Sequence, residues 1–210
     1  WHTMTRTGRA PRLGSHLAEP YLEIHPEDAD AAGLSPADLA EVTSPHGRAV
    51  LRVMVSDKAR QGSAFAPMHW TGVTSALGRV NTLVAPITDP FSGQPASKAT
   101  AVGLKRYVAG WYGFAAGVAQ MHPTRPYAAI ARTKTGWRAE VAGHKRPADW
   151  EHEARTVLNL DDRGEASVFQ DDARGLARVA ITEKGRLIGA FFAAPEPVAV
   201  ARSLVVDLVG

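Results

Sequence analysis

Short alternations of apolar and polar residues, separated by turn residues, dominate the first hundred positions of the chain. One short helix is predicted between Pro26 and Gly33, because proline and acidic residues begin the segment and glycine ends it. The turn at residues 45–48 joins two of the alternating segments into a predicted hairpin. Short strands with many Gly and Pro turns predict a small, mostly β barrel. The predicted strands are residues 21–25, 39–43, 49–55, 62–67 and 102–107.

The pattern changes after residue 107. Residues 110–117, rich in small and aromatic side chains, are predicted to be a linker, and residues 85–98 a turn-rich loop. The chain is therefore predicted to be mostly β, with a barrel domain at residues 1–107 and a small α+β domain at 108–210. The predicted elements after the linker are strands at 127–132, 137–142, 167–170, 176–182 and 186–192, and helices at about 147–158 and 198–209.

Composition narrows the possible functions. The 210 residues are 45% hydrophobic and 21% charged, as in ordinary globular chains, and no apolar run approaches the roughly 20 residues of a membrane span. The absence of cysteine excludes zinc–thiolate, iron–sulfur and disulfide chemistry within these residues. No basic stripe interleaved with aromatics indicates a nucleic-acid partner. The eight histidines lack metal-ligand spacing and no nucleophile or P-loop motif occurs, so neither catalytic nor metal-ligating residues are predicted.

The first eight residues concentrate groups that can bind a phosphorylated ligand. His2 and Arg6 supply an imidazole and a guanidinium, and the threonines between and after them supply hydroxyls. Such groups can hold a pyrophosphate, and arginine can pair with it through two N–H groups. The alternative interpretation is a chain terminus without a role. Because the sequence opens on Trp1 and not on Met, we expect it to be part of a longer protein.

Two further segments carry candidate ligand-binding groups. His69 and Trp70, at the predicted end of a strand, could stack on a planar ligand, although a structural histidine is the alternative. Asn81 and Lys98 flank the turn-rich loop that contains Gln94. Amide side chains can recognise the edge of a heterocycle and a lysine can neutralise a phosphate. The alternative for the loop is that Asp89, Ser92 and Gly93 simply form its turns.

Four motifs in a fixed order make a family resemblance specific. They are WHTMTRTG at residues 1–8, PMHW at 67–70, VNTL at 80–83 and DPFSGQP at 89–95, the last followed by Lys98. Together they resemble the C-terminal dinucleotide-binding domain of molybdopterin oxidoreductases, and most closely that of assimilatory nitrate reductases. Periplasmic nitrate reductases carry two extra residues between the Trp-His-Thr and Met-Thr-Arg parts of the first motif. Their absence here favours the assimilatory branch.

The resemblance implies a double-psi β-barrel over residues 1–107 and a bis(molybdopterin guanine dinucleotide) cofactor with molybdenum in the parent enzyme. The parent would reduce nitrate to nitrite in the cytoplasm, with an iron–sulfur cluster upstream and an electron-donor protein or NAD(P)H module as partner. The rest of the same polypeptide would hold the catalytic residues, so the isolated chain is expected to be inactive. The residues implied in cofactor binding are Trp1, His2, Thr3, Met4, Thr5, Arg6, His69, Trp70, Asn81, Gln94 and Lys98.

Two alternatives remain open for the function. The same domain occurs in other molybdopterin oxidoreductases, such as formate dehydrogenases. A free-standing β-barrel that binds a protein is the alternative from another functional class. The predicted hairpin at residues 177–190 also resembles the small C-terminal domains of flavin-dependent ferredoxin and nitrite reductases, and the role of residues 108–210 is left open.

Overall fold

The computed structural model describes residues 19–68, 70–95 and 100–210. Its contacts divide the described chain into two compact units. The first unit comprises the described residues from 20 to 108 apart from 71–76, and the second comprises Glu19, residues 71–76 and residues 109–210. Each unit contains one β-sheet, so the prediction of a mostly β chain is confirmed.

The first unit is built on a five-stranded sheet of order β4-β1-β3-β2-β5. Strand β1 runs parallel to β3, with Leu22 beside Val53, and the other neighbouring strands are antiparallel. Helix α1 and the 3-10 helix η1 complete the regular structure in the described part of this unit. Its elements are β1 (Tyr21–Ile24), α1 (Pro26–Ala31), β2 (Leu39–Ser44), β3 (Gly47–Val55), β4 (Ala64–Phe65), η1 (Val80–Leu83) and β5 (Gly103–Arg106).

The second unit is built on a six-stranded antiparallel sheet of order β7-β8-β6-β11-β10-β9. Helix α2 packs on the face that carries Ala115, whereas helix α3 packs on the face that carries Phe114. Successive side chains of a strand point to opposite faces, so the two helices cover opposite sides of the sheet. The elements are β6 (Trp111–Gly117), β7 (Tyr127–Arg132), β8 (Trp137–Gly143), α2 (Trp150–Leu158), β9 (Glu165–Asp171), β10 (Leu176–Glu183), β11 (Arg186–Ala194) and α3 (Arg202–Leu208).

Helix α2 packs against the aromatic core of the second unit. The carboxylate of Asp149 accepts a hydrogen bond from the N–H of His152 at 3.0 Å and caps the first turn. In the same turn, the Trp150 ring meets the Trp111 ring edge-on, with ring centroids 5.5 Å apart. The centroid of the Phe191 ring lies 6.2 Å from each of these two centroids. Aromatic rings in this arrangement combine a large buried area with favourable edge-to-face geometry.

The predicted linker at residues 110–117 is wrong, because this segment is the buried strand β6. Both of its faces are covered, so its sequence lacks the apolar–polar alternation that identifies a half-buried strand. Its glycines make room for large neighbours. A Cβ on Gly113 would lie 2.9 Å from atoms of Trp111 and Val141, and one on Gly117 would lie 2.9 Å from Leu158.

The helices of the described ranges are short. The longest, α2, has nine residues, and none of those described has the length and apolar character needed to cross a membrane. Helix α3 covers residues 202–208, which is shorter than the predicted 198–209. Val198 nevertheless packs in the same cluster as Val205 and Val209, so the segment before the helix contributes to this side of the core.

Candidate functional site

The first unit contains a cavity of about 330 Å³ on its sheet. Leu22, Val42 and Leu51 supply an apolar wall from three different strands. Asn81, on η1, and Thr100 are the polar side chains among the described residues that line it. The volume lies at the lower end of the range for small-molecule sites, which are commonly apolar with a few polar groups. The arrangement can therefore hold an apolar or planar group and hydrogen-bond its edge.

Helix η1 is held in place by the hairpin of β2 and β3. The hydroxyl of Ser44 donates to the carbonyl of Leu83 at 2.7 Å. The hydroxyl of Thr82 lies 3.1 Å from the carbonyl of Arg48 and 2.7 Å from that of Arg79. A Cβ on Gly47 would come 2.5 Å from the carbonyl oxygen of Thr82, so only glycine permits this close approach. These hydrogen bonds and the close approach at Gly47 hold the backbone of η1 in place and so position Asn81 at the cavity.

The amide of Asn81 is available for a ligand. The residue is exposed, and its side chain makes no hydrogen bond to another residue in the part of the chain that the structure describes. An amide offers two donors and an acceptor, the set needed to bind the edge of a heterocycle. A ligand that binds here would not have to displace a hydrogen bond between the Asn81 side chain and any described residue.

The loop at residues 88–95 is stabilised by its own hydrogen bonds. The carboxylate of Asp89 accepts from the N–H groups of Phe91 and Ser92 at 3.1 and 2.8 Å, and from the Ser92 hydroxyl at 2.9 Å. The N–H of Asp89 donates to the carbonyl of Gln94, and that of Gly93, at φ +70°, donates to the carbonyl of Asp89. Asp89, Ser92 and Gly93 therefore form the turns, as the alternative interpretation proposed.

Every residue of this loop is exposed, Phe91 and Gln94 among them. The hydrogen bonds from the backbone and hydroxyl of Ser92, then from the backbone of Phe91, hold the pKa of the Asp89 carboxyl below its ordinary value. Asp89 is therefore charged at neutral pH, the form that accepts these hydrogen bonds most strongly. Phe91 is 97% exposed, and Gln94 is exposed without a side-chain hydrogen bond to another described residue. Gln94 does not line the 330 Å³ cavity.

The structure describes three of the predicted cofactor residues. Trp70 is only 6% exposed and belongs to the core, so a ligand could touch just a small part of its ring. Asn81 and Gln94 are exposed on two separate segments, and the contact of all three with a cofactor stays a prediction. Outside the described residues lie Trp1, His2, Thr3, Met4, Thr5, Arg6, His69 and Lys98.

The cavity also includes exposed apolar side chains that are not among the predicted cofactor residues. Phe65 and Met68, 55% and 37% exposed, line it beside Ala66. Exposed large apolar side chains around a hollow are typical of a binding surface. The signal of Phe65 in the sequence was weak, because single apolar residues near the end of a short strand are common, whereas Met68 lies within the PMHW motif at residues 67–70. No group of three or more metal-ligating side chains occurs within the described ranges.

Comparison with protein families gives a match to the first half of the chain. Residues 1–101 match the family described as the molydopterin dinucleotide binding domain. This range contains all the motifs at residues 1–8, 67–70, 80–83 and 89–95, and it ends shortly before strand β5.

Three curated proteins with similar sequences are two nitrate reductases and a subunit of a formate dehydrogenase. A nitrate reductase of Klebsiella oxytoca is 50% identical over 113 residues, which are 54% of this chain and 13% of the relative. The alpha subunit of F420-dependent formate dehydrogenase 1 of Methanococcus maripaludis is 28% identical over 106 residues, 50% of this chain and 15% of the relative. The assimilatory nitrate reductase catalytic subunit of Bacillus subtilis is 29% identical over 102 residues, 49% and 14% of the two chains.

The matched region is thus a small part of each relative, about 13–15% of its length. Among solved structures, acetylene hydratase from Pelobacter acetylenicus is similar with a TM-score of 0.38 and 19% identity, over 45% of this chain and 15% of the other.

Proposed function

Residues 1–101 of this chain belong to the molydopterin dinucleotide binding domain family, and on that premise we propose that the chain is the cofactor-binding part of a molybdenum-dependent nitrate reductase. The whole enzyme would reduce nitrate to nitrite by two electrons. One observation carries this choice of substrate, namely the 50% identity over 113 residues with the nitrate reductase of Klebsiella oxytoca. The formate dehydrogenase subunit is 28% identical over a region of similar length.

The residues of the first unit fit a dinucleotide cofactor. The apolar wall of the 330 Å³ cavity suits the face of a planar heterocycle, and the unengaged amide of Asn81 suits its edge. Gln94 offers a second exposed amide on a closed loop. The parallel pairing of β1 with β3 among short strands supports a double-psi β-barrel, which we propose for residues 1–107. Residues 108–210 would form a separate small α+β domain.

The proposed division of roles follows the chemistry of the side chains. When bound, the bis(molybdopterin guanine dinucleotide) supplies the two-electron redox chemistry through its molybdenum. Arg6 and Lys98 would neutralise pyrophosphate charge, while Asn81 and Gln94 would hydrogen-bond heterocycle edges. No residue of the chain is assigned a proton transfer. The remaining proposed contacts are Trp1, His2, Thr3, Met4, Thr5, His69 and Trp70.

The proposal includes partners that lie outside the chain. The catalytic residues and an iron–sulfur cluster would belong to preceding parts of the same polypeptide. Electrons would come from a donor protein or an NAD(P)H module, and the enzyme would act in the cytoplasm. The 28% identity with a formate dehydrogenase subunit supports a second candidate, an oxidoreductase of the same family that acts on formate. No observation favours a free-standing protein-binding module.

The substrate is tested with the protein encoded by the complete reading frame that contains this sequence. We expect nitrite from nitrate and reduced methyl viologen, and no viologen reduction with formate. Acid hydrolysis of the enzyme should release GMP in proportion to its molybdenum. The 210-residue chain alone should form no nitrite. Formate oxidation without nitrate reduction would assign the second candidate, and release of a different nucleotide would contradict the guanine form.

The role of Asn81 is tested by Asn81→Ala in the same complete protein. Loss of one or two hydrogen bonds of about 0.5–1.5 kcal/mol each should lower cofactor affinity several-fold and reduce molybdenum and GMP content together. Gln170→Ala is the control, because Gln170 is an exposed amide on β9, outside the matched residues. Normal molybdenum, GMP and activity in the Asn81 variant would remove this residue from the site.

A further inference from the structure

We propose that the second unit contains a binding site for a small amphiphilic anion, an apolar chain or ring that carries one carboxylate or similar group. The site lies within residues 167–208, on the sheet face that α3 partly covers. These residues are outside the range that matches the dinucleotide-binding family. The inference therefore stands or fails independently of the proposed function.

The apolar part of the site is a hollow of about 370 Å³ beside α3. Ala180 and Ala190 are paired across β10 and β11, and their short side chains leave the sheet surface low at this point. Leu187, Val205 and Leu208 line the hollow above them. Leu208 is 59% exposed, so helix α3 leaves the hollow open to solvent. Apolar side chains exposed around a concave surface indicate a place where an apolar group can bind.

Arg178 supplies the positive charge of the site. The strand register sets it opposite Phe192 on β11 and opposite Phe169 on β9. Its guanidinium carbon lies 5.9 Å from the centre of the Phe169 ring, which favours a cation over the ring face. Phe169 is itself 55% exposed. The cation is thus held at the margin of the apolar hollow and remains accessible to a ligand.

Four of the ten arginines in the described part of this unit have no ion-pair partner there, namely Arg132, Arg138, Arg178 and Arg186, and of these four Arg178 alone lines the first hollow. Arg125 pairs with Glu153, Arg163 with Glu183 and Arg202 with Glu140, all at 2.8 Å or less. Arg178 has no ion-pair partner among the residues that the structure describes. A guanidinium has five N–H donors, and contact with a ring face leaves them able to bind an anion. This arginine can therefore form its ion pair with a ligand.

A second hollow of about 450 Å³ meets the first at Arg178 and Phe192. It contains another cation, Arg174, whose Nη1 is 3.8 Å from the Asp171 carboxylate, but it is also lined by Glu196. The carboxylate of Glu196 disfavours an anion in the far part of this hollow. The anionic group is therefore assigned to the junction at Arg178, with the apolar body in the first hollow.

The first hollow has room for a small occupant. At about 30 Å³ for each water-sized group, 370 Å³ holds roughly a dozen non-hydrogen atoms. Decanoate has that size, with one carboxylate on an unbranched apolar chain. A site with a mostly apolar lining and one positioned polar group is the usual arrangement for small-molecule recognition. The charge at one margin specifies that the ligand is an anion.

Binding is tested on the 210-residue chain by displacement of 1-anilinonaphthalene-8-sulfonate with decanoate, and with 1-decanol as its uncharged counterpart. Decanoate should bind with 1:1 stoichiometry. Arg178→Gln should weaken decanoate about tenfold and leave decanol unchanged, since it removes only the charge-assisted contact. Arg186→Gln is the matched control, because Arg186 is exposed at the β10–β11 turn and lines neither hollow. Equal decanoate affinity in the Arg178 variant would overturn the proposal.

A second variant tests the hollow itself. Ala180→Leu should fill it and weaken decanoate and decanol together, with folding checked by circular dichroism. Wild-type affinity in a folded Ala180→Leu chain, or the absence of 1:1 binding to the unmodified chain, would also overturn the site. Sedimentation velocity addresses another occupant. Self-association that Ala180→Leu abolishes would show that a second copy fills the hollow and that the small-molecule proposal is wrong.

Discussion

The two units use their sheets differently. The first unit has strands of two to nine residues, and its candidate ligand groups lie on η1 and on the loop at 88–95, outside the strands. The second unit has six strands of six to nine residues with a helix on each face. Short strands leave more backbone in loops, where binding residues can vary without disrupting a core. Long paired strands instead place most of their side chains in a closely packed core.

The two cores show the same contrast. Leu51 is fully buried in the first unit and yet borders the 330 Å³ cavity. In the second unit, Trp111, Trp150 and Phe191 pack ring against ring, and each is at most 2% exposed. The first unit thus has a cavity against its buried core, whereas on the α2 face of the second unit the sheet and the helix pack without such a cavity among the described pockets, and the hollows of that unit lie elsewhere, beside α3 and next to residues 195–199.

The largest expected effect comes from Trp150→Ala in the second unit. Removing the ring would leave a large hole between α2 and the sheet, so the free energy of unfolding of that unit should fall by about 3–5 kcal/mol. Leu51→Ala in the first unit should cost less, about 2–3 kcal/mol, because one side of Leu51 already faces a cavity. Hydrogen exchange followed by mass spectrometry measures each effect on peptides from the unit that carries the substitution.

Equal costs for Trp150→Ala and Leu51→Ala would contradict the contrast between an open and a filled core. The conservative variant Trp150→Phe keeps an aromatic ring at the contact with Trp111 and should restore a large part of the lost stability. A Trp150→Phe variant as unstable as Trp150→Ala would mean that ring packing is not the stabilising feature.

Whether a strand is covered on one face or on both decides how well it could be predicted from the sequence. The hairpin of β10 and β11 was predictable, because alternating strands flank the turn residues Lys184 and Gly185, both at positive φ. Strand β6 was not, because burial of both faces removes alternation and Gly113 is needed for packing, not for a turn. Glycine in a sequence does not distinguish these two uses.

The candidate sites could be predicted only in part, because their residues are brought together by the order and register of the strands. Asn81 was predicted from a motif, but its cavity brings together Leu22, Leu51 and Phe65, which are far apart along the chain. No local pattern contains that information, because it depends on sheet order. Arg178 likewise has the sequence context of any polar residue on a half-buried strand. Its special position follows from the register that sets it between two phenylalanines.

An intermediate effect is expected from Glu140→Gln, which removes a buried charge from the second unit. Glu140 is 5% exposed and binds Arg202 through both oxygens, at 2.5 and 3.1 Å. Burial also lowers the pKa of the neighbouring Arg138 guanidinium, an effect that Glu140 opposes and Arg202 reinforces. The substitution leaves two cations with less compensation. Because Arg202 is about one-third exposed to water, the expected loss is about 1–3 kcal/mol.

Glu183→Gln is the control for this prediction. Glu183 pairs with Arg163 at 2.8 Å, but both side chains are well exposed. Exposed pairs contribute little to stability, so thermal unfolding should not change measurably. A loss at Glu183 comparable with that at Glu140 would argue that burial does not determine the strength of these ion pairs.

The smallest expected effect concerns Asp89 in the loop of the first unit. Hydrogen bonds from the N–H and hydroxyl of Ser92 and the N–H of Phe91 lower the pKa of this carboxyl in the folded chain. Because the folded value lies below the unfolded one, the contribution to stability is complete above the ordinary Asp pKa and is lost as pH falls through the lowered value. The loop should therefore be closed at neutral pH and open only in acid. An NMR titration of the Asp89 carboxyl carbon measures the midpoint.

Ser92→Ala removes the hydroxyl donor and should move the pKa of Asp89 back toward its ordinary value. An unchanged midpoint in that variant would mean that the side chain of Ser92 does not stabilise the charged form, and would leave the backbone N–H groups as the donors that close the loop.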